Sequence, residues 1–364
     1  MTEEDRRYMR LALALAARGL GNVWPNPAVG CVIVSDGRIV GRGWTQPGGR
    51  PHAERRALDQ AGAAARGATA YVTLEPCAHY GKTPPCSQAL IENGIARVVS
   101  AHEDPDPRVA GRWRHAMLRN AGIAVDTGVL EAEARAQQSG FLSRLERGRP
   151  WVALKLATSF DGRIALANGQ SQWITSAPAR AAVHALRAQY DAVLVGGGTA
   201  RADDPLLTVR TFTPLRQPVR VIASTRLNLP RAKLAASVDT APLWLAHGPH
   251  ASEEARTWWQ NAGADLLPVP TTASGLDPVA LMGTLAGNGL TRVFCEGGGL
   301  FAASLLQAGL VDELIGFTAG IVLGGDARAA LGPIGLSQLD NAPRFRLQET
   351  QVIGTDILHR WRIG

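Results

Sequence analysis

LEPCAHYGKTPPCSQAL, residues 74–90, places two cysteines, each after a proline, around a His, a Tyr and a Lys. The apolar run ATAYVTLE leads into it and reads as a β-strand ending at Cys77. From Pro85 to Asn93 the pattern is helical, Cys86 opens that helix, and Gly94 ends it. A helix N-terminus carries partial positive charge, which favours a thiolate at Cys86. Upstream, PHAERRAL (51–58) starts another helix, with Pro51 in its first turn and His52 and Glu54 at its exposed N-terminal end. Positions i and i+2 of a helix point in different directions, so His52 and Glu54 are not expected to share one ion. His52, Cys77 and Cys86 supply one imidazole and two thiolates, a donor set for Zn²⁺ that leaves a fourth position for water. Such an ion lowers the pKa of bound water from about 15.7 to about 7 for attack on an amidine-like ring carbon. Glu54, standing beside the ligands, is the expected proton carrier. Taken singly, His52 fits a surface helix and each cysteine a core position; it is the H-x-E plus P-C-x₈-C combination that points to catalysis.

Outward from this motif, helices and strands alternate. A first helix is expected with Thr2 as N-cap and an acidic first turn. AVGCVIVSDGRIVGRGW folds into a hairpin at Asp36-Gly37, helices follow at 51–65 and 111–121, and further strands at ARVVSAHED and GIAVDTGVL. This order predicts a mostly parallel, three-layer α/β domain over residues 1–147. GFLSRLERGRP (140–150) reads as a polar linker. A second α/β domain over 148–364 has strands at WVALKLA, AVLVGGG, VRVIAS, LWLAH, RVFCEGG and ELIGFTAGIVLG. No internal repeat is visible.

The length of 364 residues fits two domains. No run of eighteen apolar residues marks a membrane span. RRYMRLALALAARG mimics a twin-arginine leader, but Glu3, Glu4 and Asp5 precede it, and an amphipathic helix is expected instead. Four cysteines do not make a disulfide framework, so a cytoplasmic location is expected, with Cys31 and Cys295 as core residues. The net charge of +7 favours anionic partners: nucleic acid or phosphorylated small molecules. The basic residues are scattered, which weakens the nucleic-acid reading.

HAE and LEPC resemble the zinc-dependent cytidine deaminase superfamily, with eight residues between the cysteines in place of the usual two. NPAVG (26–30), PHAE and LEPCAHYGKTPPC together are similar to the riboflavin-pathway deaminase over essentially the first 145 residues. The resemblance implies a cytidine-deaminase-like α/β/α fold and substrate contacts at Asn26, His79 and Lys82, the last two near the substrate phosphate or ribose. Where members of that family often carry a His seven residues before the zinc His, this chain has Thr45, which keeps a hydrogen-bonding group but not a cation.

In the second half, RVFCEGGGLFAASLLQAGL runs from a strand through glycines into a helix, and AVLVGGGTARADDPLLTVR repeats the pattern. Both suit a phosphate, but no G-x-G-x-x-G fingerprint follows a first strand, which disfavours a Rossmann dehydrogenase. KLATSFDGRIA, GQSQWITS, VGGGTARADDPLLTVR and EGGGLFAASLLQAGLVDEL are similar, in order, to the riboflavin-pathway reductase over residues 150–364. The resemblance implies a dihydrofolate-reductase-like fold using NADPH. It implies cofactor contacts at Ala157, Trp173, Thr199, Asp203 and Ser224, and along Gly298, Gly299, Leu300, Phe301, Ala302, Ala303 and Ser304. It implies substrate contacts at Ser171, Arg187, Leu207, Arg210 and Glu296, with Lys155 and Asp161 nearby. Guanidinium forks at Arg187 and Arg210 suit a phosphate, and Trp173 suits a cofactor ring. Ala223-Ser224-Thr225 departs from the family, in which an acidic residue often precedes the serine.

The expected function is therefore bifunctional: zinc-dependent deamination of a phosphorylated pyrimidine, then NADPH-dependent reduction of its ribosyl group. No nucleic acid and no membrane partner are expected, and a homo-oligomeric assembly is. A tRNA-type base deaminase with an accessory domain leaves the second half without a purpose. A binding protein with a structural zinc needs a fourth ligand, for which only His79 is close in sequence.

Overall fold

The chain divides at Gly148 into two compact units, Met1–Gly148 and Arg149–Gly364. The computed structural model describes residues 2–78, 84–106 and 114–364. In the first unit, Thr2 caps α1 (Glu3–Ala16) through a reciprocal box. Its hydroxyl accepts the Asp5 N–H at 3.1 Å while the Asp5 carboxylate accepts the Thr2 N–H at 2.9 Å. Strands β1 (Gly30–Ser35) and β2 (Arg38–Trp44) form the hairpin, with Asp36 and Gly37 at positive φ. Then come α2 (Ala53–Ala61), β3 (Thr69–Val72), α3 (Cys86–Glu92), β4 (Arg97–Ser100), α4 (Arg114–Asn120), β5 (Ala124–Thr127), α5 (Glu131–Gln137) and α6 (Ser139–Arg147).

The sheet order is β2-β1-β3-β4-β5. Side chains alternate across it: Cys31 and Ile33 join the core under α2 and α3, whereas Val32 and Val34 join Tyr8, Met9 and Ala12 under α1. The three layers stand as expected. The sheet, however, is half antiparallel, because β1 pairs antiparallel with both β2 and β3. The expected linker at 140–150 is also corrected. Residues 139–147 are helix α6, and Phe141 and Leu142 are buried, so only Gly148–Pro150 connect the units.

The second unit comprises β6 (Trp151–Ser159), β7 (Arg163–Ala165), α7 (Ala177–Arg187), β8 (Ala192–Gly196), α8 (Gly197–Asp203), β9 (Val219–Ala223), α9 (Lys233–Ala236), β10 (Leu243–His247), α10 (Glu253–Asn261), β11 (Asp265–Pro268), a short pair β12 (Thr271–Thr272) and β13 (Gly275–Leu276), α11 (Pro278–Gly287), β14 (Arg292–Gly297), α12 (Gly299–Gln307), β15 (Glu313–Ala319), β16 (Arg328–Ala329), β17 (Phe345–Ile353) and β18 (Asp356–Ile363). Nine strands make one sheet in the order β11-β10-β9-β8-β14-β6-β15-β18-β17. It is parallel from β11 to β15 and antiparallel through β18 and β17. One core packs β8, β9 and β10 against Leu234 and Trp259. Another packs α7 against Ala153, Phe294, Ile315 and Phe317. Cys31 and Cys295 are fully buried in the two sheets, as read from the sequence. Among the described residues no helix is long and apolar enough to cross a membrane.

Candidate functional site

His52 is the N-cap of α2, yet its side chain makes no capping bond. The ring turns instead toward the sulfurs, with Nδ1 3.6 Å from Cys77 Sγ and 3.3 Å from Cys86 Sγ. Cys86 is the first residue of α3, and its N–H points at Cys77 Sγ at 3.3 Å. Cys77 lies beyond the end of β3, so it does not close the strand as expected. Hydrogen bonds hold it there: Ser87 N donates to Cys77 O, and the Ser87 hydroxyl donates to Pro76 O. The three ligand atoms lie within 4.8 Å of one another. Tetrahedral zinc with S and N ligands at about 2.3 and 2.0 Å requires donors roughly 3.5–3.8 Å apart. Donor types and spacing therefore fit zinc.

The two sulfurs are tuned in opposite directions. The Cys86 side chain holds the Cys77 thiol down to about 4, aided by His52 and the Cys86 N–H. The same bond, with burial, pushes the Cys86 thiol up. Of the two sulfurs, Cys77 is the one favoured as a thiolate, first by the Cys86 side chain and then by His52 and the Cys86 N–H. Glu54 is 4 % exposed, which corrects the expectation of an exposed carboxylate. Pro51 also stands outside the helix, whose first residue is Ala53. Burial raises the Glu54 pKa, and the Cys77 charge adds to this. His52 opposes the rise without reversing it, and an upward shift favours a carboxyl that gives back the proton it takes.

These groups open on a cavity of about 430 Å³, a volume suited to one small ligand. Asn26 and Thr45 line it together with His52, Glu54 and Cys77. Asn26 packs where a Cβ at Gly49 would stand and donates to Val23 O. Thr45 is 3 % exposed and spends its hydroxyl on the Val29 backbone, accepting from N at 3.0 Å and facing O at 3.4 Å. His79 and Lys82 lie outside the described residues. Sequence reasoning missed Arg50, Glu75, Asp104, Asp106 and Arg144 on the cavity wall. Only Glu75, inside LEPC, carried a signal; its carboxylate faces His115 Nδ1 at 3.4 Å and accepts the Asp104 N–H at 3.3 Å.

In the second unit Lys155 on β6, Glu296 on β14 and Arg187 at the end of α7 meet. Glu296 takes Arg187 in a two-point bond, Nε to Oε1 and Nη2 to Oε2, and Arg187 Nη1 donates to Thr208 O at 2.9 Å. The fork read as a phosphate ligand is thus committed to a carboxylate and a carbonyl. Burial works to raise the Glu296 pKa, but Arg187 outweighs it and the net direction is down. Burial lowers that of Lys155 against the pull of Glu296. Arg210 is exposed, and its side chain has no ion pair among the described residues. Leu207 is buried in the core at φ 55, so only its backbone is open to a ligand. The Asp161 carboxylate accepts from the Ser159 hydroxyl and from the N–H groups of Leu323 and Gly324, which holds it down to about 2 and makes it the anchor of that turn. Ser171 is half-buried.

The glycine segments meet across β8 and β14. A Cβ at Gly298 would stand 2.8 Å from Thr199 Oγ1, and one at Gly299 3.1 Å from Ala330 O. Beyond the end of β9, Ser224 Oγ is buried without a partner among the described residues, 3.0 Å from where a Gly197 Cβ would be. An orphaned hydroxyl beside side-chain-free backbone fits a phosphorylated cofactor such as NADPH. Leu300 is exposed and Phe301 half-buried, whereas Ala302 and Ala303 face the core, and Ser304 bonds Phe301 O. Asp203 is exposed at the end of α8, and Ala157 is half-buried on β6. Trp173 is 67 % exposed, with the Arg180 guanidinium 4.4 Å from its ring.

Residues 2–102 match the cytidine and deoxycytidylate deaminase zinc-binding region, and residues 150–359 match the RibD C-terminal domain. The chain is 44% identical over 366 residues to riboflavin biosynthesis protein RibD of Escherichia coli, covering 97% of this chain and 98% of that one. It is 38% identical to the RibD of Aquifex aeolicus, covering 98% of each. Among solved structures it is similar to RibD of Acinetobacter baumannii, with TM-score 0.89 and 39% identity over 100% of this chain and 99% of that one. A deaminase/reductase of Thermotoga maritima follows at TM-score 0.86 and 34% identity, with the same coverage. Two domain families in this order, and relatives matched from end to end, show that the chain belongs to the RibD family of riboflavin biosynthesis enzymes, a deaminase joined to a reductase.

Proposed function

We propose that the first unit hydrolyses the 2-amino group of 2,5-diamino-6-ribosylamino-4(3H)-pyrimidinone 5′-phosphate, and that the second reduces the product's ribosyl group to ribityl. The observation that carries the first step is the His52–Cys77–Cys86 set with buried Glu54 beside it, opening on a cavity sized for a pyrimidine. Zinc held by those three residues would supply Lewis-acid activation of water. Glu54 takes a proton from water and returns it to the departing amine, so water and substrate become the ring carbonyl and ammonia. Its buried position keeps competing solvent from that exchange.

In the second unit NADPH would supply the hydride for ribose C1′. Gly298, Gly299, Thr199 and Ser224 seat its phosphates. Arg210 holds the substrate phosphate, and Lys155 and Glu296 face the sugar. Four free cysteines fit a reducing compartment, and the cytoplasm is the proposed location. A tRNA-type deaminase leaves residues 150–359 without a role, whereas the RibD C-terminal match assigns them one.

Replacing Glu54 by Gln keeps volume and removes the proton carrier. Ammonia release is expected to disappear while zinc content stays at the wild-type value. An E54Q enzyme that still deaminates would overturn the proton role.

A further inference from the structure

Between α8 and β9, residues 204–218 contain neither helix nor strand, yet part of this stretch is tightly held. Leu207 adopts φ 55, a backbone region that a branched side chain enters only at a cost. The backbone groups that follow are bonded by side chains rather than by a neighbouring strand. Thr208 O accepts from Arg187 Nη1 at 2.9 Å. Val209 N donates to Gln217 Oε1 at 2.8 Å, and Val209 O accepts from Gln217 Nε2 at 2.9 Å. Arg210 N donates to His184 Nδ1 at 3.4 Å. His184 and Arg187 are three apart on α7 and share a face. With Arg187 also bonded to Glu296, one helix face ties this strap to β14.

We propose that His184 and Gln217 are positioning residues that pre-aim the 207–210 strap, so that Arg210 meets the substrate phosphate without a prior search. The inference rests on the reading that Arg210 binds that phosphate. A strap fixed by side chains is ordered before the ligand arrives, so the ligand does not bear the ordering entropy. The His184 bond requires a neutral ring with its proton on Nε2, because Nδ1 is the acceptor. Burial disfavours the imidazolium, and the Arg187 and Arg210 cations oppose it further; Glu296 and the Thr208 backbone pull the other way, and the net direction is down. Gln217 donates and accepts on one residue, which a hydrocarbon of equal size cannot do.

The test compares full-length wild type with H184L, H184N and Q217L, assayed for NADPH oxidation on the deaminated substrate. H184L and Q217L are expected to raise KM for that substrate about tenfold, with kcat within about twofold and KM for NADPH unchanged. H184N, whose amide oxygen can accept the Arg210 N–H, is expected to recover most of the loss. Calorimetric titration with ribose 5-phosphate supplies a readout free of turnover: the dissociation constant should weaken in H184L and recover in H184N. Wild-type constants in H184L, equal losses in H184L and H184N, or parallel rises for substrate and NADPH would each overturn the proposal. If Q217L does not fold, the H184L and H184N pair decides alone. A wild type that binds ribose 5-phosphate but never oxidises NADPH would remove the reductase reading and leave the strap to the titration.

Discussion

Gly43→Ala tests how the metal centre is held from behind. Gly43 lies on β2 where α2 crosses with no side chain between them. A Cβ there would stand 2.0 Å from Ala53 O and 2.7 Å from Ala57 N; at Gly41 it would stand 2.2 Å from Ala57 O. Real Cβ contacts stop near 3.0 Å, so a methyl group at position 43 forces the start of α2 back by about 1 Å. Both neighbours are helix backbone and cannot swing away as a side chain would. Overpacking of this kind costs about 1–3 kcal/mol, and the upper half of that range applies here. For a unit of this size it lowers Tm by roughly 10 °C. Ala53 adjoins both His52 and Glu54, so the shift reaches the ligand. Metal–ligand distances tolerate about 0.2 Å, and zinc affinity should fall at least about tenfold. The assays are thermal unfolding, zinc dissociation against a chromogenic chelator, and ammonia release. Reductase turnover on deaminated substrate reports the second unit and should not change. Gly283→Ala, on α11 with no atom within 4 Å of the new methyl, is the control and should be neutral or slightly stabilising. G43A with wild-type Tm and wild-type zinc affinity would refute the backbone-contact reasoning.

Arg187→Met leaves Glu296, whose side chain is 10 % exposed, without its two-point partner and with Lys155 alone to offset its charge, and should cost about 3 kcal/mol in chemical denaturation. Adding Glu296→Met should restore part of that stability, since Lys155 then loses its carboxylate, without restoring reductase activity; no recovery in the double variant would count against an ion-pair origin. Asp5 is held well below the usual carboxylate range, chiefly by its bond to Arg97. Its folded pKa is depressed, so its contribution is fully present above about pH 4 and is lost as pH falls through the folded value. Asp5→Asn should therefore be less stable at neutral pH and show a flatter acid limb below about pH 4. Parallel acid limbs for the two proteins would contradict it.

The zinc donors were legible because their residue types are scarce and because His52 and Cys86 open helices, with Cys77 a few residues past a strand. Glu54 was legible as the neighbour of His52, but its burial was not, since that depends on β2 glycines admitting α2 closely. The hairpin at Asp36-Gly37 and the Thr2 cap are local chemistry and needed no tertiary knowledge. Helix α6 was mistaken for linker because Arg144, Glu146 and Arg147 dominate its appearance, while burial of Phe141 and Leu142 is set by the fold. Strand β17 went unseen for a related reason. Its residues Arg346–Val352 are exposed and show no apolar alternation, so only pairing with β18 defines it. Arg187 shows the limit for sites: a guanidinium announces an anion, but not whether that anion is a ligand or Glu296.

Along the chain the three donors are separated by 25 residues, from His52 to Cys77, and then by 9, from Cys77 to Cys86. With zinc bound as proposed, one ion closes two chain loops at once and acts as a reversible cross-link on the unfolded ensemble. By the loop-entropy relation for cross-links, the two closures are worth about 3.5 and about 2.5 kcal/mol, a large share of the roughly 5–15 kcal/mol that holds a typical domain together. Metal scarcity in a cell would then deplete the folded enzyme itself, not only silence it, and flavin supply would follow the zinc pool through protein turnover.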